Sequence, residues 1–411
     1  MRRHRRRGGL VHVAVTLVLR FADVGVATYA SLRVVGDPAR TVTWVVQEAE
    51  LGAALEQLTA ALPDPVAAES RRDAVQRAVT AGPFATREAE LALARTLGAG
   101  LLSPAAWQLI VDCVASPLAA LFVSPSARLA RVPWGLLALP DDDARRLNEL
   151  VDVLMAAPSN IVNARRTPAC WGDRRDNPPL LLLDPRVPGQ RPDSALGSVL
   201  GRPSSETPLV QHFSWVMRQR AVLPDVTDAV ELFRRTDADR SWLGSQLDRK
   251  PSRLLYVGHA TAADGDVGHA DRAALHLADE SPLTAADAMS AKLAMPPRIA
   301  MIACASGGDY QFDEATGLVA AMVLGGAQLV TATLWSLPTA AGYRQFAAGA
   351  GDHDPMAEAI IAVDRAHEHP DAGRAVNRWQ REQMRRWRDG DVGVSPLYWA
   401  ALATFAVDGA R

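Results

Sequence analysis

Two short stretches of the chain carry side chains able to do covalent chemistry. In Leu254-Leu255-Tyr256-Val257-Gly258-His259-Ala260 an apolar run stops at a glycine and an imidazole follows. In Ile299-Ala300-Met301-Ile302-Ala303-Cys304-Ala305-Ser306-Gly307-Gly308 a second apolar run stops at a thiol, and a loop of small residues follows. A cysteine attacks as its thiolate, and a neighbouring imidazole raises the thiolate fraction. The 45 residues between His259 and Cys304 suit one strand–helix–strand crossover. Two adjacent parallel strands would then deliver both side chains to one sheet edge, where functional loops of such sheets gather. The small residues after Cys304 leave space for a substrate backbone. The amides of Cys304 and of Gly258 or Ala260 can form an oxyanion hole, because N–H donors need no particular side chain. The residues alone also allow a blander reading: Cys304 as a packed small hydrophobe at a strand end, and His259 as a structural histidine.

The surrounding pattern is that of an α/β protein. Buried-strand runs occur at Leu180–Leu183, Arg253–Val257, Arg298–Ala303 and Leu329–Thr333, with an apolar helix expected over Thr316–Ala327. Strands separated by helices imply a largely parallel sheet covered on both faces. Leu118–Val123 and Leu129–Val132 around Ser124–Ser126 read as a hairpin, and residues 185–208, rich in Pro, Gly and Ser, as a long loop. Earlier in the chain, period-two alternation through Val11, Val13, Val15, Leu17 and Leu19, and again from Val24 to Val34, reads as a hairpin rather than a signal peptide. Helical patterns follow over 47–62, 66–80 and 86–97. We therefore expect a small N-terminal α/β module over residues 1–105, of adaptor or regulatory role, and a second domain over 106–411.

Composition narrows the function classes. With 48% hydrophobic and 22% charged residues the chain is ordinary for a globular protein. Its net charge is -2. Without Arg2, Arg3, Arg5, Arg6 and Arg7 it carries 39 basic against 46 acidic residues, which argues against a nucleic-acid-binding body. Three scattered cysteines, Cys113, Cys170 and Cys304, make no disulfide framework and fit a reducing cytoplasm. No apolar run reaches the roughly 18 residues that span a bilayer. Abundant Ala and Arg with scarce Lys suggest a GC-rich bacterial genome.

At this point the sequence resembles a family. From about 110 to 408 it is similar to the CHAT domain, a caspase-like protease fold related to separases and caspases. The blocks run in order. Arg131-Val132-Pro133-Trp134-Gly135-Leu136-Leu137 resembles the family's Pro-aromatic hairpin segment, and Leu180–Pro185 a strand ending in Asp-Pro. Leu254–His259 resembles the strand bearing the catalytic histidine, and Ala274–Leu277 with Leu283-Thr284-Ala285 the stretch between the catalytic blocks. Ile302–Gly307 resembles the block of the catalytic cysteine, Gly317–Trp335 the helix and strand after it, and Ser395–Ala401 the C-terminal strand entry. The sequence departs from the pattern at Ala260, where Gly is common, and at Ser395, where His is frequent.

The resemblance implies a cysteine endopeptidase with His259 as base and Cys304 as nucleophile, needing no metal or organic cofactor. It implies a protein substrate cut in a bacterial regulatory or defence response, such as a gasdermin-like or other neighbouring-gene product, and a regulatory partner acting through the N-terminal module. The alternative is a catalytically silent scaffold of the same fold. Asp309, Asp313 and Glu314 after the nucleophile are candidates to contact a basic residue before the cut, and Trp335 is a candidate for the substrate groove or the core. Asp264 and Asp266 read as a polar loop, and a metal cluster of His259, His269 and His276 has no supporting pattern. The Arg-rich segment 372–388 reads as a solvated amphipathic helix rather than a surface for acidic partners. A serine hydrolase is excluded by the lack of a Gly-x-Ser-x-Gly elbow followed by a suitable histidine.

Overall fold

The computed structural model describes residues 15–115, 118–192, 194–261, 270–303, 317–347, 349, 351 and 353–407. Its strands are β1 (Thr16–Asp23), β2 (Thr28–Val34), β3 (Asp37–Val46), β4 (Ala120–Ser124), β5 (Asp152–Ala156), β6 (Leu180–Leu183), β7 (Arg253–Val257), β8 (Ala260–Thr261), β9 (Ala274–Leu275), β10 (Leu283–Thr284), β11 (Arg298–Ile302), β12 (Leu329–Thr333) and β13 (Leu402–Ala406). One sheet runs in the order β3-β2-β1-β4-β5-β13-β12-β11-β7-β6, and β10-β9-β8 form a small second sheet.

The large sheet contains two parallel blocks, with the antiparallel strands β2 and β3 added at the β1 edge. β6, β7, β11 and β12 are mutually parallel, as are β1, β4, β5 and β13, and the antiparallel pair β12–β13 joins the blocks. The carboxyl ends of β6, β7, β11 and β12 therefore share one edge. Every residue of these four strands is buried, as a sheet covered on both faces requires. One helical layer is formed by Pro208–Gln219, Pro355–Glu368 and Ala372–Arg388, and the other by Ala285–Ser290 and Leu318–Leu324. The architecture is the expected mixed α/β one, with a mostly parallel sheet between helices.

Two arginines bolt the Pro355–Glu368 helix to the opposite edge. Arg253 and Arg298 are register partners at the amino ends of β7 and β11. Arg253 meets Asp364 at 2.6 Å and Glu368 at 2.8 Å. Arg298 donates to the carbonyls of His367, His369 and Pro370 at 2.6–2.7 Å, where a helix end presents unpaired acceptors and favours a cation. His212 adds a 2.9 Å contact to Asp364. Both arginines are buried, so each like charge is answered by carboxylates or carbonyls.

Several local expectations change on contact with the fold. The hairpin expected after Ser124 does not form: Ala127–Leu129 and Trp134–Leu136 are 3₁₀ turns, and β4 pairs with β1 and β5 instead. Pro133, which has no N–H, cannot continue a ladder. The N-terminal hairpin is present as β1 and β2, with Leu17, Leu19 and Phe21 on its buried face, and β3 extends it. The sheet passes through the β1–β4 ladder into the rest of the chain. The Arg-rich helix spends most of its arginines internally: Arg374 and Arg381 on Asp152, Arg386 on Glu358 and Asp391, Arg388 on Glu149.

Candidate active site

The site is built from neighbouring strand tips. β7 and β11 pair in parallel, with Val257 opposite Ile302 on the last rung. His259 stands two residues beyond Val257, and Cys304 two residues beyond Ile302 in the sequence. Ala303, the last described residue on that side, is buried, and its carbonyl accepts from the Thr333 hydroxyl on β12. Cys304 lies outside the described residues, as do Asp309, Asp313, Glu314, Asp264, Asp266, His269 and the five N-terminal arginines.

Gly258 is where the chain turns out of β7. A Cβ there would stand 2.7 Å from the Tyr256 hydroxyl, so only glycine fits. That hydroxyl brackets the turn, 2.6 Å from the His259 carbonyl and 2.9 Å from the His276 carbonyl. The His276 N–H also donates to the His259 carbonyl at 3.0 Å, joining the turn to the small sheet. The Gly258 N–H donates to the Ile302 carbonyl at 3.3 Å, so this amide sits in the ladder. Ala260 begins β8 and is partly exposed.

The His259 imidazole is 8% exposed. Its Nε2 lies 3.0 Å from the Gly197 carbonyl. A carbonyl only accepts, so the proton of the neutral ring sits on Nε2 and Nδ1 carries the basic lone pair. Burial holds the His259 pKa below its usual 6.5; the Gly197 carbonyl and Asp184 pull it up, and Arg71 and Arg234 push it down. His276 is likewise lowered, by burial and then by His259, and pairs with the Thr261 hydroxyl at 2.6 Å. Among the described residues no three His, Cys, Asp or Glu side chains gather as a metal site would need.

Trp335 is fully buried, with its indole N–H on the Leu397 carbonyl at 3.0 Å and its ring 5.9 Å from that of Phe84. It belongs to the core, not to a substrate groove, because both its ring and its polar edge are already used. Of the other cysteines, Cys113 is buried with its thiol pKa raised by burial, and Cys170 is exposed.

Sequence reasoning did not find Gly197, Asp184 or Arg234. Asp184 is fully buried at the end of β6, and its carboxylate accepts from the Ser198 hydroxyl at 2.6 Å and the Val199 amide at 3.2 Å. The Asp184-Pro185 step was visible, but the loop it organises carries no periodicity. A polar residue closing a wholly apolar strand was the one available signal.

The fold is mixed α/β, with the carboxyl ends of β7 and β11 side by side on one edge of the sheet. The CHAT domain family model matches residues 91–407, and the chain belongs to that family. No curated protein matches it. Two crystal structures of the Saccharomyces cerevisiae separase–securin complex, at 2.6 and 3.0 Å resolution, are similar at 9% and 10% identity, each with a TM-score of 0.43. Each likeness covers 95% of this chain and 30% of the separase chain. Among the described residues no helix is long and apolar enough to cross a membrane.

Proposed function

We propose that this CHAT protein is a cysteine endopeptidase with His259 and Cys304 as its dyad, cutting a partner protein. The observation that carries the reading is the register: His259 follows the last β7 rung by the same two residues by which Cys304 follows the matching rung of β11.

The thiol proton passes from Cys304 Sγ to Nδ1 of His259. The thiolate adds to a peptide carbonyl carbon, forming a C–S bond and moving the carbonyl electron pair onto oxygen. Amides of Cys304 and Ala260 hold that oxyanion; the Gly258 amide joins them only by giving up its 3.3 Å bond to Ile302. Collapse breaks the C–N bond, and the imidazolium gives its proton to the leaving amine. Water, its proton taken by His259, then attacks the thioester and frees the acid and the thiol. None of these steps uses a metal or an organic cofactor.

We further propose that Asp309, Asp313 or Glu314 contacts a Lys or Arg before the cut. Equal cleavage of Arg and Leu peptides would end that part. Residues 1–105 are proposed to regulate the activity. The Arg71–Thr80 helix packs on Ala340–Phe346, and the charge of Arg71 reaches His259. A bacterial regulatory or defence setting, with a neighbouring gene encoding the substrate, fits such control. Cys304→Ala is expected to abolish cleavage of that neighbouring product, and His259→Ala to lower it by the roughly 10²–10⁴-fold that base assistance supplies. Full cleavage by Cys304→Ala would refute the assignment.

A further inference from the structure

The buried polar cluster beneath the 194–201 segment has a use beyond holding a loop. Asp184 adopts a left-handed backbone, φ 50°, and its N–H donates to the Val257 carbonyl at 2.6 Å, latching it to the strand that carries His259. Its carboxylate meets four donors: the Ser198 hydroxyl at 2.6 Å, the Val199 and Leu200 amides at 3.2 and 3.4 Å, and Arg234 Nη1 at 3.3 Å. An asparagine could not answer them, because its NH₂ would face N–H groups. Arg234, also left-handed at φ 54°, donates its own N–H to the Leu183 carbonyl at 3.1 Å. The same Nη1 reaches the Gly197 carbonyl at 3.1 Å. That carbonyl therefore has its two lone pairs occupied, one by Arg234 and one by His259 Nε2 at 3.0 Å. Gly197 has no slack, since a Cβ there would stand 2.3 Å from the Pro192 carbonyl oxygen.

Resting on the dyad reading above, we propose that Asp184 and Arg234 are positioning residues which fix the Gly197 carbonyl against Nε2 of His259 and so dictate that Nδ1 is the basic nitrogen. Arg234 alone would drain the carbonyl of acceptor strength and repel an imidazolium. Asp184 cancels that charge while pinning the loop on either side of Gly197. The pair is an anchor with no net charge, which leaves His259 free to gain and lose a proton. Among the described residues, the charged and titratable groups around the ring are Asp184, Arg234, Arg71 and His276.

The test is a ¹⁵N NMR titration of His259, carried out in the Cys304→Ala background so that it needs no proteolysis. Asp184→Asn leaves Arg234 unbalanced and is expected to lower the His259 midpoint by roughly one pH unit, whereas Arg234→Gln leaves Asp184 unbalanced and raises it by a similar amount. The wild-type shifts are expected to report Nε2–H, with the Nδ1–H form growing in both variants. Ser198→Ala, which loosens the loop without changing charge, leaves the midpoint in place. A merely structural pair would move both variants in one direction or not at all, and either result overturns the proposal. If Asp184→Asn does not fold, Arg234→Gln decides alone: a rise upholds the proposal, and no change or a fall ends it. Because the titration is independent of cleavage, an inactive protein with the expected shifts would remove the dyad reading and leave the positioning pair.

Discussion

In the proposed dyad the buried ring of His259 is the base, and its surroundings would set the pH at which it works. Burial keeps His259 neutral to lower pH than a free histidine, so the base form dominates at neutrality. The acid limb of kcat/KM is accordingly expected below pH 6.5, the ordinary histidine value. Arg71 pushes the midpoint down, so Arg71→Gln should move the limb to higher pH, as a pH–rate profile on any cleavable peptide would reveal. His259 and Cys304 could be proposed from the sequence because each ends an apolar run at a small-residue turn. Gly197 was not, for its contribution is a backbone carbonyl that any residue type possesses, delivered by 62 residues of chain folding back.

At the scale of elements, β6, β7, β11 and β12 were readable end to end, since burial on both faces leaves uninterrupted apolar runs. β5 and β13 were not: Asp152 opens one, and Thr404 interrupts the other. The Pro355–Glu368 helix starts at Asp354, whose carboxylate accepts from the Ala357 amide at 2.9 Å, with Pro355 at its first position. Its docking rests on buried charge. Asp364→Ala takes the buried carboxylate from both Arg253 and His212, leaving Arg253 only Glu368, and is expected to cost about 3 kcal/mol in denaturant unfolding. His367, fully buried beside Arg253 and Arg298, is pushed down to about 3. Its folded pKa lies below the unfolded one, so the unfolded chain binds the extra proton between about pH 6.5 and 3. Stability therefore falls as pH drops through that window, by about 1.4 kcal/mol per pH unit for one proton. His367→Asn should flatten that part of the profile.

The molecule as a whole joins two parallel blocks through one antiparallel pair, and the antiparallel strands β2 and β3 prolong the second block. The β1–β4 ladder runs over five residue pairs, from Thr16–Ala120 to Arg20–Ser124. A chain begun at residue 106 would leave β4 an open edge and uncover its neighbours. We expect it to aggregate, as size-exclusion chromatography beside the full chain would show. The alternation in the first 46 residues announced strands, but nothing in it said that they would continue the sheet of β7 and β11. That pairing is non-local.

The most direct measurement is alkylation by a peptide chloromethyl ketone, followed by mass spectrometry at each cysteine across pH. Cys304 should react far faster than exposed Cys170 and buried Cys113, and at pH values below the usual thiol range. In His259→Ala that advantage should vanish. Labelling of Cys304 no faster than Cys170, or unchanged by loss of the imidazole, would contradict the dyad.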